Sequence, residues 1–285
     1  MAGPYVPNPV PEEHLREWKG SALMVRTCNL VLKRIADPTP TSALAAADVH
    51  YPQEKVSAWS REYLLAGADS LNFWADHFSP FEFAADAVNE VRYRPYLLLA
   101  RSGLESAAHG LWTLSAATSE ECAQRHVRLL HRDFRYHRKA LEAGGRDASH
   151  IQLRIDDLEQ RAKQSALLRP TDQPPGYEAL IRHAADIAGR DADEWAFWWN
   201  AASGAAHGQN WLGIEGYQLH GKSEYEPGHF RVAKLPDPEF ITNIIDAASS
   251  CLLAGTVKWL GLAGHSMDDY AQAQRDVFSQ MPKST

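Results

Sequence analysis

The chain has 285 residues, 45% of them hydrophobic and 23% charged, proportions that exclude a disordered or fibrous protein and supply a core without disulfide or metal staples. A formal net charge of −7 excludes a surface that coats nucleic acid or anionic membrane as a whole, and leaves a local basic patch open. Three distant cysteines, Cys28, Cys122 and Cys251, fit neither a disulfide framework nor a zinc site, so a cytoplasmic setting and no metal are expected.

The segment MAGPYVPNPVPEEH is proline-rich with no apolar run and reads as an extended arm, not as a signal or transit helix. From Glu12 to Ile35 the apolar positions Leu15, Trp18, Leu23, Val25, Leu30, Leu32 and Ile35 suit a helix, which Asp37-Pro38-Thr39-Pro40 ends. Helices follow near 53–76 and 81–117. Pro95 predicts a kink or break in the second of these, with Tyr96 to Ser115 as its long buried half. Ser119 with Glu120 and Glu121 starts a helix that runs to Leu141 and stops at Gly144-Gly145. A charged helix covers about 147–168, and the loop RPTDQPPG separates it from helices at 177–188 and 193–207.

Between Trp211 and Pro236, glycines and short alternations predict a weak β-hairpin or long loop. Helices near 238–263 and 266–280 close the chain. The apolar stretch 247–264 is broken by Lys258 and keeps helical spacing, so it reads as a core helix and not as a membrane span. The expected fold is all-α. Residues 1–80 form an arm and helices that pack on a bundle of 81–285, with one small hairpin insertion near 211–236.

No phosphate loop, metal-ligand spacing or nucleophile elbow occurs, and no cofactor is expected. Two apolar helices nevertheless carry polar stripes. In YLLLARSGLESAAHGLW, Arg101, Glu105 and His109 stand four apart and share a helix face. In EWAFWWNAASGAAHGQNW, Asn200, Ser203 and His207 do the same. Buried charge needs partners, so the economical expectation is that the stripes face each other. The plainer alternative is an Arg101–Glu105 ion pair fixing helix register, with His109 and His207 as satisfied core histidines. The group Trp195, Phe197, Trp198 and Trp199 could stack bases or sugars, but its spacing favours core packing.

A third stripe is cationic. Arg125, Arg128, Arg132, Arg135 and Lys139 recur at alternating spacings of three and four along one helix. That line could follow phosphates, or pair with the acidic face Asp156, Asp157 and Glu159 of the next helix.

The order of elements over roughly 85–265, ending in a helix with AAHG, resembles the HEPN superfamily. The resemblance implies an all-α bundle of bacterial stress, toxin–antitoxin or antiphage type. HEPN ribonucleases carry an Arg-x(4–6)-His motif completed across a dimer into one metal-independent RNA-cleaving site. The matching place here reads Ser203-Gly204-Ala205-Ala206-His207-Gly208, which keeps the histidine without the arginine. It is closer to the HEPN-like branch with an Arg-x3-Glu helix, here Arg101 to Glu105, and a later Ser-x3-His-Gly helix. Literal matches from Arg125-His126 through His131 and from Arg132-Asp133 through His137 are no more than chance gives, and on one helix a separation of five or six makes such side chains diverge by about 120–140°.

Three functions stay open at this point. One is a degenerate module that binds RNA, a nucleotide or a protein partner, with His109 and Asn200 on the ligand and the cationic stripe on phosphates. Another is a metal-independent endoribonuclease with a composite dimer site drawing on His207, Ser203, Arg101 and Glu105. The third is a purely structural protein. One modest bundle can hardly surround the apolar helices 96–115, 194–207 and 240–263, so either the outer helices 12–35, 53–76 and 147–168 wrap them or a second chain does, and a homodimer is expected because HEPN-like domains resemble obligate pairs.

Overall fold

Helical periodicity, read along the chain, becomes real helix in nearly every predicted place. The computed structural model describes residues 10–81, 91–165 and 168–281. Its elements in order are α1 (Glu12–Arg34), α2 (Ala43–Asp48), α3 (Val56–Phe78), α4 (Tyr93–Leu114), α5 (Ser119–Ala143), α6 (Ser149–Lys163), α7 (Tyr177–Ile187), α8 (Ala192–Ala206), α9 (Leu212–Glu215), β1 (Tyr217–Glu226), β2 (His229–Pro236), α10 (Pro238–Leu262) and α11 (Met267–Ser279). The class is all-α. The predicted arm at 1–9 and the start of the helix placed at 81–117 fall outside the described residues.

Caps explain several boundaries. Thr118 accepts from the backbone of Glu121 at the start of α5, Asp191 from Asp193 and Glu194 at α8, and Asp237 from Glu239 at α10. Pro95 does not break a helix. It sits in the first turn of α4, where its missing N–H would have had no intrahelical partner, so the position read as an interruption is a beginning.

The main core is built around α4, which is covered by α3, α10, α8 and α7, while α1 closes over α3 and α10. Of the outer helices, α1 and α3 pack over α4 and α10 within the one chain. By length and composition α10 could cross a membrane, but 67% of its most apolar window is buried, against α4 and α1. A second, smaller core lies under α5 and α6, where Val127, Leu130 and Phe134 meet Ile151, Ile155 and Leu158. The hairpin β1–β2 is antiparallel and two-stranded, and it stands largely exposed.

The crossing of α3 and α4 depends on glycine. A Cβ on Gly67 would lie 2.9 Å from the Gly103 carbonyl oxygen and 3.3 Å from the Ala107 backbone nitrogen. Both are backbone atoms that cannot turn aside. Gly67→Val is therefore expected to force the helices apart and cost about 1–3 kcal/mol, which a shifted urea midpoint with native helical content would register. An unchanged midpoint would contradict this packing.

Candidate functional site

The Arg101/Glu105/His109 stripe of α4 forms a real cluster, though not with the expected partners. Arg101 Nε donates to Glu105 Oε1 at 2.7 Å, and Trp199 Nε1 of α8 donates to the same oxygen at 2.7 Å. His109 is buried. Its Nδ1 bonds the Glu105 carbonyl oxygen at 2.6 Å, and its Nε2 meets Arg132 Nη2 of α5 at 2.5 Å. Since a guanidinium only donates, Nε2 must accept and the ring is the neutral Nδ1–H tautomer. Burial is the main cause that pulls the His109 pKa from 6.5 to about 4, and the Arg132 charge adds to it, against the raising effect of the Glu105 carbonyl.

The second stripe does not face the first. Asn200 and His207 are exposed, and Ser203 is half-buried. The Asn200 amide donates back to Ala196 O, and Ser203 and His207 form no side-chain hydrogen bond among the described residues. Trp195, Ala196, Ala201, Ala202, Gly204 and Ala205 are the buried residues of α8. Small residues let α8 approach α4, and the polar stripe lies away from that contact. Trp199, read from sequence as packing, is the α8 residue that reaches Glu105. Of the other aromatic residues, Trp195 is core, Trp198 stacks edge-on against Phe240 at 5.0 Å, and Phe197 is exposed.

The cationic stripe of α5 divides in two. Arg125 is consumed, donating to Glu121, to the Trp112 carbonyl and to Ser115 Oγ. Arg128 pairs with Asp172 at 2.8 Å, and Arg132 donates to the Pro175 carbonyl at 3.2 Å as well as to His109. Arg135 and Lys139, one and two turns further on, are exposed and form no ion pair among the described residues. The acidic face of α6 is not their partner. There Asp157 takes Arg161, and Glu159 takes His131 at 3.0 Å.

The stripe and the loop 171–176 enclose a cleft of about 320 Å³, with Arg128, Arg132, Arg135 and Lys139 along one wall. Asp172 is the one acidic residue lining it. Beside it lies a second cavity of about 190 Å³ bounded by Tyr63, Glu105, His109, Asp133 and Tyr177. Arg132 and Tyr136 line both. Tyr63 stacks on the His109 ring at 5.3 Å, Tyr177 meets its edge at 5.4 Å, and Arg132 stands over Tyr177. The loop supplies this geometry, and its non-periodic sequence gave no sign of where it would lie.

All three cysteines are free and buried, and burial raises the thiols of Cys28 and Cys122 to about 12, so none offers a thiolate nucleophile near neutral pH. Among the described residues no group of three His, Cys, Asp or Glu side chains is placed to hold a metal ion. No family model, curated protein or solved structure matches the chain.

Proposed function

We propose that this chain is a binding module, HEPN-like in its bundle, that takes the phosphates of a nucleotide, free or within RNA, in the cleft between α5 and the loop 171–176. The observation that carries the reading is the pair Arg135 and Lys139, uncompensated beside Arg128 and Arg132 on one wall of that cleft. Unpaired cations lining a concavity favour polyanions even on a protein of net charge −7. The exposed ring of Tyr136, 55% accessible, adds a stacking surface of the kind single-stranded ligands use.

Binding is better supported than cleavage. His109 is locked neutral with both ring nitrogens engaged, and Arg101 is committed to Glu105. Ser203 and His207 sit outside both cavities. No described pair of side chains among these combines a free base with a nucleophile in hydrogen-bond reach, which general-base chemistry needs.

The test is fluorescence anisotropy with a labelled single-stranded RNA decamer and with a labelled nucleoside diphosphate. Both are expected to bind, more weakly as salt rises, and the double substitution Arg135→Glu, Lys139→Glu should weaken each by roughly 30-fold, given the usual strength of charge-assisted phosphate contacts. His207→Ala should change neither. Binding that survives the double reversal unchanged would place the ligand elsewhere.

A further inference from the structure

The smaller cavity beside the phosphate cleft differs from it in chemistry, and the contrast names a ligand. Four cations line the cleft; the cavity presents carboxylates and phenols. Two of its polar groups are already committed, since Glu105 accepts from Arg101 and Trp199, and His109 uses both nitrogens. Asp133 is different. Its carboxylate forms no hydrogen bond or ion pair with any described residue, although Arg132, His137 and Arg154 lie close enough to temper its charge. Asp133 is exposed on α5, and the desolvation imposed by its surroundings raises its pKa.

Asp133 directly follows Arg132 on α5, and Arg132 with Tyr136 borders both cavities. A ligand spanning them must be anionic at one end, flat in the middle and a hydrogen-bond donor at the other. Together the two spaces fall within the ordinary range of small-molecule sites, about 300–1,000 Å³.

Among nucleobases the donor end is discriminating. A carboxylate accepts two parallel bonds and donates none. Guanine offers N1–H and the 2-amino group side by side on one edge. Adenine and cytosine each present one exocyclic amine beside a ring acceptor, and uracil places a single N–H between two carbonyls, so each would set a lone pair against the carboxylate.

We infer that the cavity is a guanine pocket: Asp133 takes the N1–H and 2-amino donors of a guanine nucleotide, Tyr136 carries the ring, and Arg128, Arg135 and Lys139 hold its phosphates. This rests on the phosphate-binding reading above. Discrimination at the carboxylate should exceed tenfold, because a mismatched base leaves Asp133 facing an acceptor.

Isothermal titration of the full chain with GDP, ADP, CDP and UDP tests the two readings separately. GDP is expected to bind at least about tenfold tighter than the other three. In Asp133→Asn the preference for GDP disappears, phosphate-dependent binding persists, and xanthosine diphosphate, whose 2-carbonyl can accept from the asparagine amide, gains over GDP. Asp133 is solvent-facing on its helix, and matching thermal melts would show that the variant folds. Equal binding of all four diphosphates, or a GDP preference kept in Asp133→Asn, overturns the guanine pocket and leaves the phosphate cleft standing. No binding of any diphosphate overturns both.

Discussion

Acidification should destabilise this protein progressively from about pH 6.5, before most of its carboxylates begin to titrate. His109 and His126 are both buried and neutral, each with a pKa drawn from 6.5 to about 4, chiefly by burial. His126 bonds the Glu54 carbonyl oxygen through Nε2 at 2.7 Å and sits among Tyr51 and Trp59. A histidine depressed in the native state binds its proton at a higher pH when unfolded. The unfolded chain therefore takes up more protons throughout that interval, and stability falls as pH drops from about 6.5 towards 4. Each ring contributes about 3 kcal/mol at the acid limit, so the two together rival a large part of an ordinary folding free energy.

Urea unfolding at a series of pH values from 7 to 4.5 reads this directly. The midpoint should fall steadily below pH 6.5, and His109→Gln with His126→Gln should flatten the slope from a lower starting stability. A midpoint constant to pH 4.5 would mean that the rings are not held neutral as the hydrogen bonds imply. The same proton uptake bears on the site. A protonated His109 cannot accept from Arg132, and the guanidinium that borders both cavities would lose the contact that fixes it.

Sequence periodicity carried the helices because burial on one face is a repeating demand, and repeats survive without knowledge of the partner. It located α5 from Ser119, Glu120 and Glu121, although Thr118 is the residue that caps it, and it read Arg101 with Glu105 as a pair. It missed α2, whose six residues are too short for a period to show. It also missed how α3 begins: Lys55 provides no side-chain cap there, and Asp48 of α2 reaches across to accept from the Ser57 backbone at 2.9 Å and its hydroxyl at 2.6 Å.

The error over Asn200, Ser203 and His207 has a definite cause. Helical spacing says that three residues share a face and is silent about which way that face turns. The alanines at 201, 202 and 205 defined the buried side of α8, and their small size made a close approach to α4 favourable. The tryptophans read as core packing, and of them Trp199 supplies the polar contact to Glu105. The cleft was half legible. Its cationic wall lies in one helix and was visible, whereas its other wall is an irregular loop fixed by Arg128–Asp172 and by Arg132 on the Pro175 carbonyl, contacts over forty residues apart in sequence.

Trp259→Ala should be among the most damaging single substitutions in the chain. The side chain is fully buried on α10, and its Nε1 donates to the Ser57 carbonyl of α3 at 3.0 Å. Its ring lies parallel to His265, 6.3 Å between centroids, so it joins the first turn of α3 to the end of α10. Truncation to alanine removes the largest apolar surface at this junction and leaves a cavity that packed helices fill only in part, at a cost of about 3–5 kcal/mol. The hydrogen bond is the smaller share. Ser57 O also accepts from Ser60 Oγ at 3.2 Å, so Trp259→Phe, which keeps one six-membered ring and loses the five-membered ring with its donor, should cost less, about 1–2 kcal/mol. Chemical denaturation of the two variants beside the parent separates packing from hydrogen bonding. Equal losses in both would assign the junction to the bond, against the reading that apolar burial by Trp259 holds α10 to the start of α3.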